Sequence, residues 1–391
     1  MEVTTNQSFL STARARSADE LLLKKDFQSL FWKDVFDAAN EYDSSDIHIE
    51  QTKVGLLIRL RVQGELMTYK SLIEEQSEVR GLIIRLKQVC GLDISVNDEA
   101  QDRSVSFEST NSRYRIALSP SVFGENFVFR VIKDDYIPKL SKLFLPTETE
   151  KDLRFAMSQK QGFICITGPT GSGKSTTLQS ILMELDREKK KVITIENPVE
   201  RIIPHTLQKE ITHKVGWKTA IKMALREDPD ILLIGEIRDA ESAELALEAA
   251  QTGHLVFSTL HTNDVAGIVD RLIGLGVDRR LIADNLSFVS AQRLIPRLCP
   301  NCKIKYADGH YIRGKGCSKC ETKGAAGITG RLPIIEYSFL PERDSILNFN
   351  KETFECNQLK TTLESECLKW VAKGEVDQNE LKFWSKSEVE R

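Results

Sequence analysis

The stretch that most constrains this chain runs Gly168, Pro169, Thr170, Gly171, Ser172, Gly173, Lys174, Ser175. It follows the apolar run Phe163-Ile164-Cys165-Ile166 and leads through Thr176, Thr177 and Leu178 into the helical Ile181-Leu182-Met183. Strand, glycine-rich turn and helix in that order make a loop whose N–H groups, with the positive end of the helix, converge on phosphate oxygens. Glycines 168, 171 and 173 let the backbone turn and approach a ligand closely. Lys174 reaches the β- and γ-phosphates, and Ser175 offers a hydroxyl to Mg²⁺. Residues 168 to 176 are therefore the expected nucleotide-binding segment.

The pattern around this loop sorts the chain. Residues 1–26 are polar and poorly patterned and read as a flexible arm. Phe27 to Tyr42 carries Leu30, Phe31, Val35, Phe36 and Ala39 at helical spacing. Alternating segments at 47–50, 55–62, 104–108, 114–118 and 127–132, with a helical stretch from Gln76 to Cys90, predict a small antiparallel sheet with helices over 27–133. Residues 134–150, with Pro138 and Pro146, read as a linker. From Lys151 strands alternate with helices: 192–195, 231–234 and 255–259 are apolar and strand-like, and 218–225 and 240–250 are helical. Such alternation implies parallel strands with crossover helices, an α/β domain over 151–340. A helix is expected from Leu286 to Leu298, then a cysteine subdomain at 296–335, then a helical region at 341–391 without an identifiable cap.

Composition narrows the class. A hydrophobic content of 41% and a formal charge of −3 describe a soluble globular protein and give no reason to expect nucleic acid as a partner. No apolar run approaches the roughly 18 residues of a membrane span, and no signal-peptide core opens the chain, so a cytoplasmic location is expected. Four of the eight cysteines form the pairs Cys299/Cys302 and Cys317/Cys320, fourteen residues apart. Thiolates at two tight turns satisfy tetrahedral Zn²⁺ and close it to water, a structural site. Cys90, Cys165, Cys356 and Cys367 stand among apolar neighbours and read as buried, inert thiols.

Two acids end apolar strands. Glu236, after Ile231-Leu232-Leu233-Ile234-Gly235, is placed to hold Mg²⁺ directly or through water. Glu196, after Ile193-Thr194-Ile195, is a candidate to position and deprotonate an attacking water. His254 and His261 bracket the strand at 255–259, a candidate relay of the nucleotide's state.

Together these motifs resemble the secretion ATPases of type II secretion and type IV pilus assembly. The likeness covers about 290 residues and includes Ser45 to Glu50, Arg59 to Gly64, Gln101-Asp102, Arg115 to Arg130, Ala291 to Leu294, Gly330-Arg331 and Glu336. It implies a RecA-like P-loop domain with a smaller α+β N-terminal domain and a zinc-binding helical C-terminal region. It implies a homohexamer that hydrolyses ATP with Mg²⁺ and turns hydrolysis into domain rotation. A cytoplasmic position at the inner face of the bacterial inner membrane follows, beside an inner-membrane platform protein. Only about 26 unpatterned residues precede Phe27, so recruitment is expected through that platform protein alone. By this resemblance Glu196 is the general base, Glu236 the Walker B acid, and Arg115, Arg130, Arg226 and Arg238 are phosphate contacts or arginine fingers. The chain departs from the family at Gln63, Arg103, Asn197 and Lys222, none of which removes Lys174, Glu196 or Glu236. The four cysteines favour an assembly motor over a pilus retraction or conjugative (type IV secretion) motor. A non-hydrolysing assembly factor is the remaining alternative.

Overall fold

The computed structural model describes residues 19–384 apart from 74–75, 111, 134–136, 213, 307–308 and 322–324. It divides into two compact units. One comprises 1–135, 299–303 and 313–330; the other comprises 136–298, 304–312 and 331–391. Residues 1–18 of the expected arm lie outside the described residues. From Asp19 onward the chain is held: the Asp19 carboxylate accepts from Ser109 Oγ at 2.7 Å, and Leu22 is buried in the core.

The first unit is a six-stranded antiparallel sheet built from β1 (Asp46–Thr52), β2 (Gly55–Val62), β3 (Glu65–Ile73), β4 (Gln101–Phe107), β5 (Ser112–Ser121) and β6 (Gly124–Lys133). Its spatial order is β3-β2-β1-β6-β5-β4. Apolar and polar residues alternate along β2 and β5, as they must when only one face is covered. The cover is the pair of helices Phe27–Glu41 and Gln76–Cys90, tied together where Trp32 Nε1 donates to Leu82 O at 2.8 Å. Strand β3, absent from the sequence expectation, follows a two-residue turn, Gln63-Gly64, with both φ positive at 51° and 92°. That geometry matches the right-handed twist of the strands it joins.

The second unit is a seven-stranded sheet in the order β15-β12-β7-β11-β10-β8-β9. Its strands are β7 (Gly162–Thr167), β8 (Val192–Glu196), β9 (Leu207–Glu210), β10 (Ile231–Ile234), β11 (Leu255–Leu260), β12 (Leu286–Leu298) and β15 (Ile328–Phe339), with a hairpin of β13 (Ile304–Lys305) and β14 (Tyr311–Ile312) between the last two. From β12 to β9 every pairing is parallel. Phe163 and Cys165 of β7 belong to one apolar cluster, and Ile164 and Ile166 to another. Both faces are thus covered, and the buried strands read as largely apolar runs, with Thr194, Ser258 and Thr259 the buried hydroxyls of β8 and β11.

Four expectations change here. Residues 286–298 form strand β12, not a helix. Its first seven residues are buried on both faces, so the sequence offers no period to read, and Pro296 is poorly suited to a helix interior. Two of the C-terminal helices are capped: Asn350 accepts from Thr353 N–H, and Thr362 forms a reciprocal capping box with Ser365. Cys356 is exposed, while Cys90, Cys165 and Cys367 are buried. The cysteine segments also group with the first unit and not with the parallel sheet. There Arg313 forks onto Glu65, its two nitrogens 2.5 and 2.9 Å from the carboxylate oxygens.

Candidate active site

The loop Gly168–Ser175 leaves the buried end of β7 and enters the helix Lys174–Glu184. Gly168, Gly171 and Gly173 have φ of 146°, 79° and 88°, a region that side chains rarely adopt. Space is a second constraint. A Cβ on Gly168 would lie 2.5 Å from Gln292 O, and one on Gly173 would lie 2.7 Å from Gln292 Nε2. Lys174 Nζ donates to Gly168 O at 2.6 Å and Pro169 O at 3.0 Å, so the ammonium is folded onto its own loop. Burial, followed by the charge of Arg293, pulls its pKa down from the usual lysine value. Ser172 Oγ is buried and lacks a hydrogen-bond partner among the described residues. An orphaned hydroxyl, a lysine and N–H groups at a helix start form a donor set that fits a phosphate chain.

Parallel pairing brings two acids to the same edge of the sheet. β8 and β10 are in register from Ile195 to Ile234, and Gly235 N–H donates to Ile195 O at 2.8 Å. Glu196 accepts from Thr194 Oγ1 at 2.6 Å and from Gln208 Nε2 at 3.0 Å. Burial raises its pKa above the usual glutamate value, the nearby Glu200 charge adds to this, and the two hydrogen bonds oppose it. Glu236 pairs with Arg238 and lies 3.5 Å from His261 Nε2. Ser175 is exposed at the helix start. A hydroxyl and a carboxylate suit Mg²⁺, which takes its remaining ligands from water and phosphate.

The two histidines separate. His261 follows the C-terminal end of β11 and reaches Glu236. His254 precedes the other end, where its carbonyl accepts from Gly162 N–H and its Nδ1 lies 2.8 Å from Ala249 O. One strand length, roughly 20 Å for six residues, keeps it from the phosphate loop. Arg226 caps the helix Trp217–Leu225 ahead of the N-terminal end of β10, likewise away from Glu236. In the first unit Arg115 and Arg130 are cross-strand partners on β5 and β6, both exposed. Asp46 lies 3.5 Å from Arg130 Nε and 3.8 Å from Arg61 Nε. Two guanidinium groups beside one carboxylate, with Arg115 across the strand pair from Arg130, leave an excess of positive charge that makes an anion-seeking patch.

Sequence reasoning missed Gln292 and Arg293 as site residues. The segment Ala291 to Leu294 carried the signal, but reading it as helix hid its direction. As part of β12, parallel to β7, it delivers Gln292 Oε1 to Thr177 Oγ1 at 3.0 Å, with Arg293 beside the loop. Gln208, which holds Glu196, was also missed.

The four cysteines form a separate centre. Their sulfurs lie within 4.8 Å of one another. Cys299–Cys317, Cys302–Cys320 and Cys317–Cys320 Sγ separations are 3.8, 3.7 and 3.7 Å. Four bonds of about 2.3 Å to a tetrahedral zinc would put the sulfurs about 3.8 Å apart. Backbone N–H groups of Cys317 and Gly327 donate to Cys320 Sγ at 3.1 and 3.2 Å, as a thiolate requires. The set fits a closed metal site.

Comparison with known proteins follows the same lines. The family model described as type II/IV secretion system protein matches residues 24–383. The chain is 38% identical over 307 residues to the type II secretion system ATPase E of Vibrio cholerae, covering 73% of this chain and 61% of that one. It is 39% identical over 302 residues to the type IV pilus assembly ATPase PilB of Thermus thermophilus, covering 75% of this chain and 34% of the relative. A putative type II secretion system protein E of Escherichia coli is 35% identical and covered over 62% of its length, so the chain spans about three fifths of these type II relatives. Among solved structures, the ATPase DotB of Legionella pneumophila is similar in fold, with TM-score 0.70, 24% identity and coverage of 92% of this chain and 96% of that one. The pilus retraction motor PilT with bound ADP gives TM-score 0.65, 25% identity and coverage of 92% and 98%.

Proposed function

The chain belongs to the type II/IV secretion system protein family, and on that premise we propose that it is an Mg²⁺-dependent ATPase driving type IV pilus assembly or type II secretion. The observation that carries this reading is the convergence of Lys174, Glu236 and Glu196 on one edge of a parallel sheet. In it Gly168 to Thr176 hold the phosphates, and Ser175 and Glu236 hold Mg²⁺, which neutralises phosphate charge. Glu196, with its raised pKa, takes the proton of the attacking water. Arg238 and His261 orient Glu236. Arg115 and Arg130 supply charge to the phosphates within a homohexameric ring, and Arg226, turned away from its own loop, acts on a neighbouring copy. Zinc at Cys299, Cys302, Cys317 and Cys320 is structural. His254 has no part in this site.

The ring works in the cytoplasm, peripheral to the inner face of the bacterial inner membrane, against a platform protein, and nucleic acid is not among its partners. No helix among the described residues is long and apolar enough to cross a membrane, which is compatible with this. The relatives named for type II secretion and pilus assembly support the transport role. The likeness to PilT supports a retraction motor as the second reading, against which the cysteine cluster stands. Phosphate release from ATP by the purified chain tests the proposal. Turnover that is absent with Mg²⁺ present makes it a nucleotide-binding assembly factor instead.

A further inference from the structure

Four consecutive residues after β11 each reach a different element. His261 meets Glu236; Thr262 N–H donates to Thr167 Oγ1 at 2.8 Å; Asn263 O accepts from Arg293 Nη2 at 2.6 Å. Asp264 caps the helix Val265–Gly274 by accepting from Gly267 N–H at 2.6 Å and pairs with Lys351 at 2.8 Å. Arg293 also lies against the phosphate loop. Its Nη1 donates to Gln292 O at 3.0 Å and would stand 3.2 Å from a Cβ on Gly168. The guanidinium is half-buried, and Glu336 and Asp264 are the acids whose charge acts on it. One planar fork therefore bridges the segment after β11 and the Gln292 carbonyl of β12, the carbonyl that packs against Gly168 at the start of the loop, and a single-point ammonium does not reproduce that bridge.

The second consequence is electrostatic. Lys174 is folded back onto the carbonyls of Gly168 and Pro169 and must leave them to meet a phosphate. A fixed positive charge beside the folded-back ammonium raises the energy of that position, and a phosphate relieves the repulsion between the two cations.

We propose that Arg293 is a positioning residue for the phosphate chemistry. It clamps Asn263 to the stretch of β12 that packs against Gly168 and biases Lys174 toward the phosphate-facing position. The proposal rests on the ATPase reading above. Its two roles separate by substitution, since Arg293→Lys keeps the charge but loses the fork, while Arg293→Gln loses both.

The test measures affinity for a fluorescent ADP analogue, steady-state ATP turnover and thermal melting for the full chain and both variants. Arg293→Lys should bind the analogue within about threefold of wild type yet turn over at least about tenfold more slowly. Arg293→Gln should in addition bind about tenfold more weakly. Wild-type turnover in Arg293→Lys, or wild-type affinity in Arg293→Gln, overturns the proposal. So does loss of the melting transition in either variant, which makes Arg293 a structural residue. If the wild type itself fails to hydrolyse ATP, the ATPase reading falls, while the affinity of Arg293→Gln still decides the electrostatic role.

Discussion

The phosphate loop and the cysteine cluster are both small polar centres, yet they are assembled in opposite ways. The loop is a contiguous motif whose neighbouring polar groups come from afar in sequence: Glu196, Glu236 and His261 stand at the ends of three other strands, and Arg293 lies within a fourth. The cluster draws its ligands from two tight turns, and backbone N–H groups in the same segments donate to the Cys320 sulfur. A site built from strand ends stands on a fold that exists without it, so damage to it should appear as lost chemistry. A site built from turns with little core of its own should, when damaged, appear as lost structure.

The largest effect expected on chemistry alone is that of Glu196→Gln. The amide keeps shape and hydrogen bonds but cannot take a proton, so single-turnover hydrolysis should fall by about two to four orders of magnitude. Affinity for Mg-ATP and the melting temperature should stay near wild type. Glu236→Gln should instead raise the Mg²⁺ concentration that ATP binding requires. A Glu196→Gln variant that hydrolyses at the wild-type rate passes the general-base role to Glu236.

Cys317→Ser sharpens the other half of the comparison. Elemental analysis should find about one zinc per wild-type chain and little in the variant. Limited proteolysis should open the segment 299–330, while ADP affinity changes less than about threefold. A metal-free wild type with an intact segment would end the zinc assignment.

The pH dependence probes Glu196 within its site. Its pKa is raised by burial, so the carboxylate protonates at a higher pH than an ordinary glutamate. Turnover should therefore be full above that raised pKa and fall as pH drops through it, with a midpoint above the ordinary glutamate value of about 4.3. An acid limb at or below that value contradicts the assignment.

The smallest effect is expected from the histidine that does not reach the site. His254→Ala should leave turnover within about twofold of wild type, as surface changes usually do. His261→Ala, which removes a neighbour of Glu236, should cost more. Equal losses from the two would mean that the strand between them acts as one relay.

Local chemistry was legible from the residues alone. The loop Gly168–Ser175 announces itself through glycine placement and Lys174, the two C-x-x-C pairs through spacing, and Glu236 through the apolar run before it. The helices Phe27–Glu41 and Gln76–Cys90 were readable because a half-buried helix keeps a 3.6-residue period. β12 was not readable, because a strand buried on both faces has no period.

What the sequence determined by itself was which chemical groups this protein carries and which local turns present them, since such turns depend on neighbours a few residues away. The tertiary structure decided which of those groups meet. Strand direction sends His261 to Glu236 and leaves His254 and Arg226 at the other edge; strand order puts Arg293 beside Gly168 at the start of the phosphate loop; and the Arg313 fork holds the cysteine segment to Glu65 in the first unit. Those outcomes depend on pairing between residues distant in the chain, and a single sequence states no such pairing.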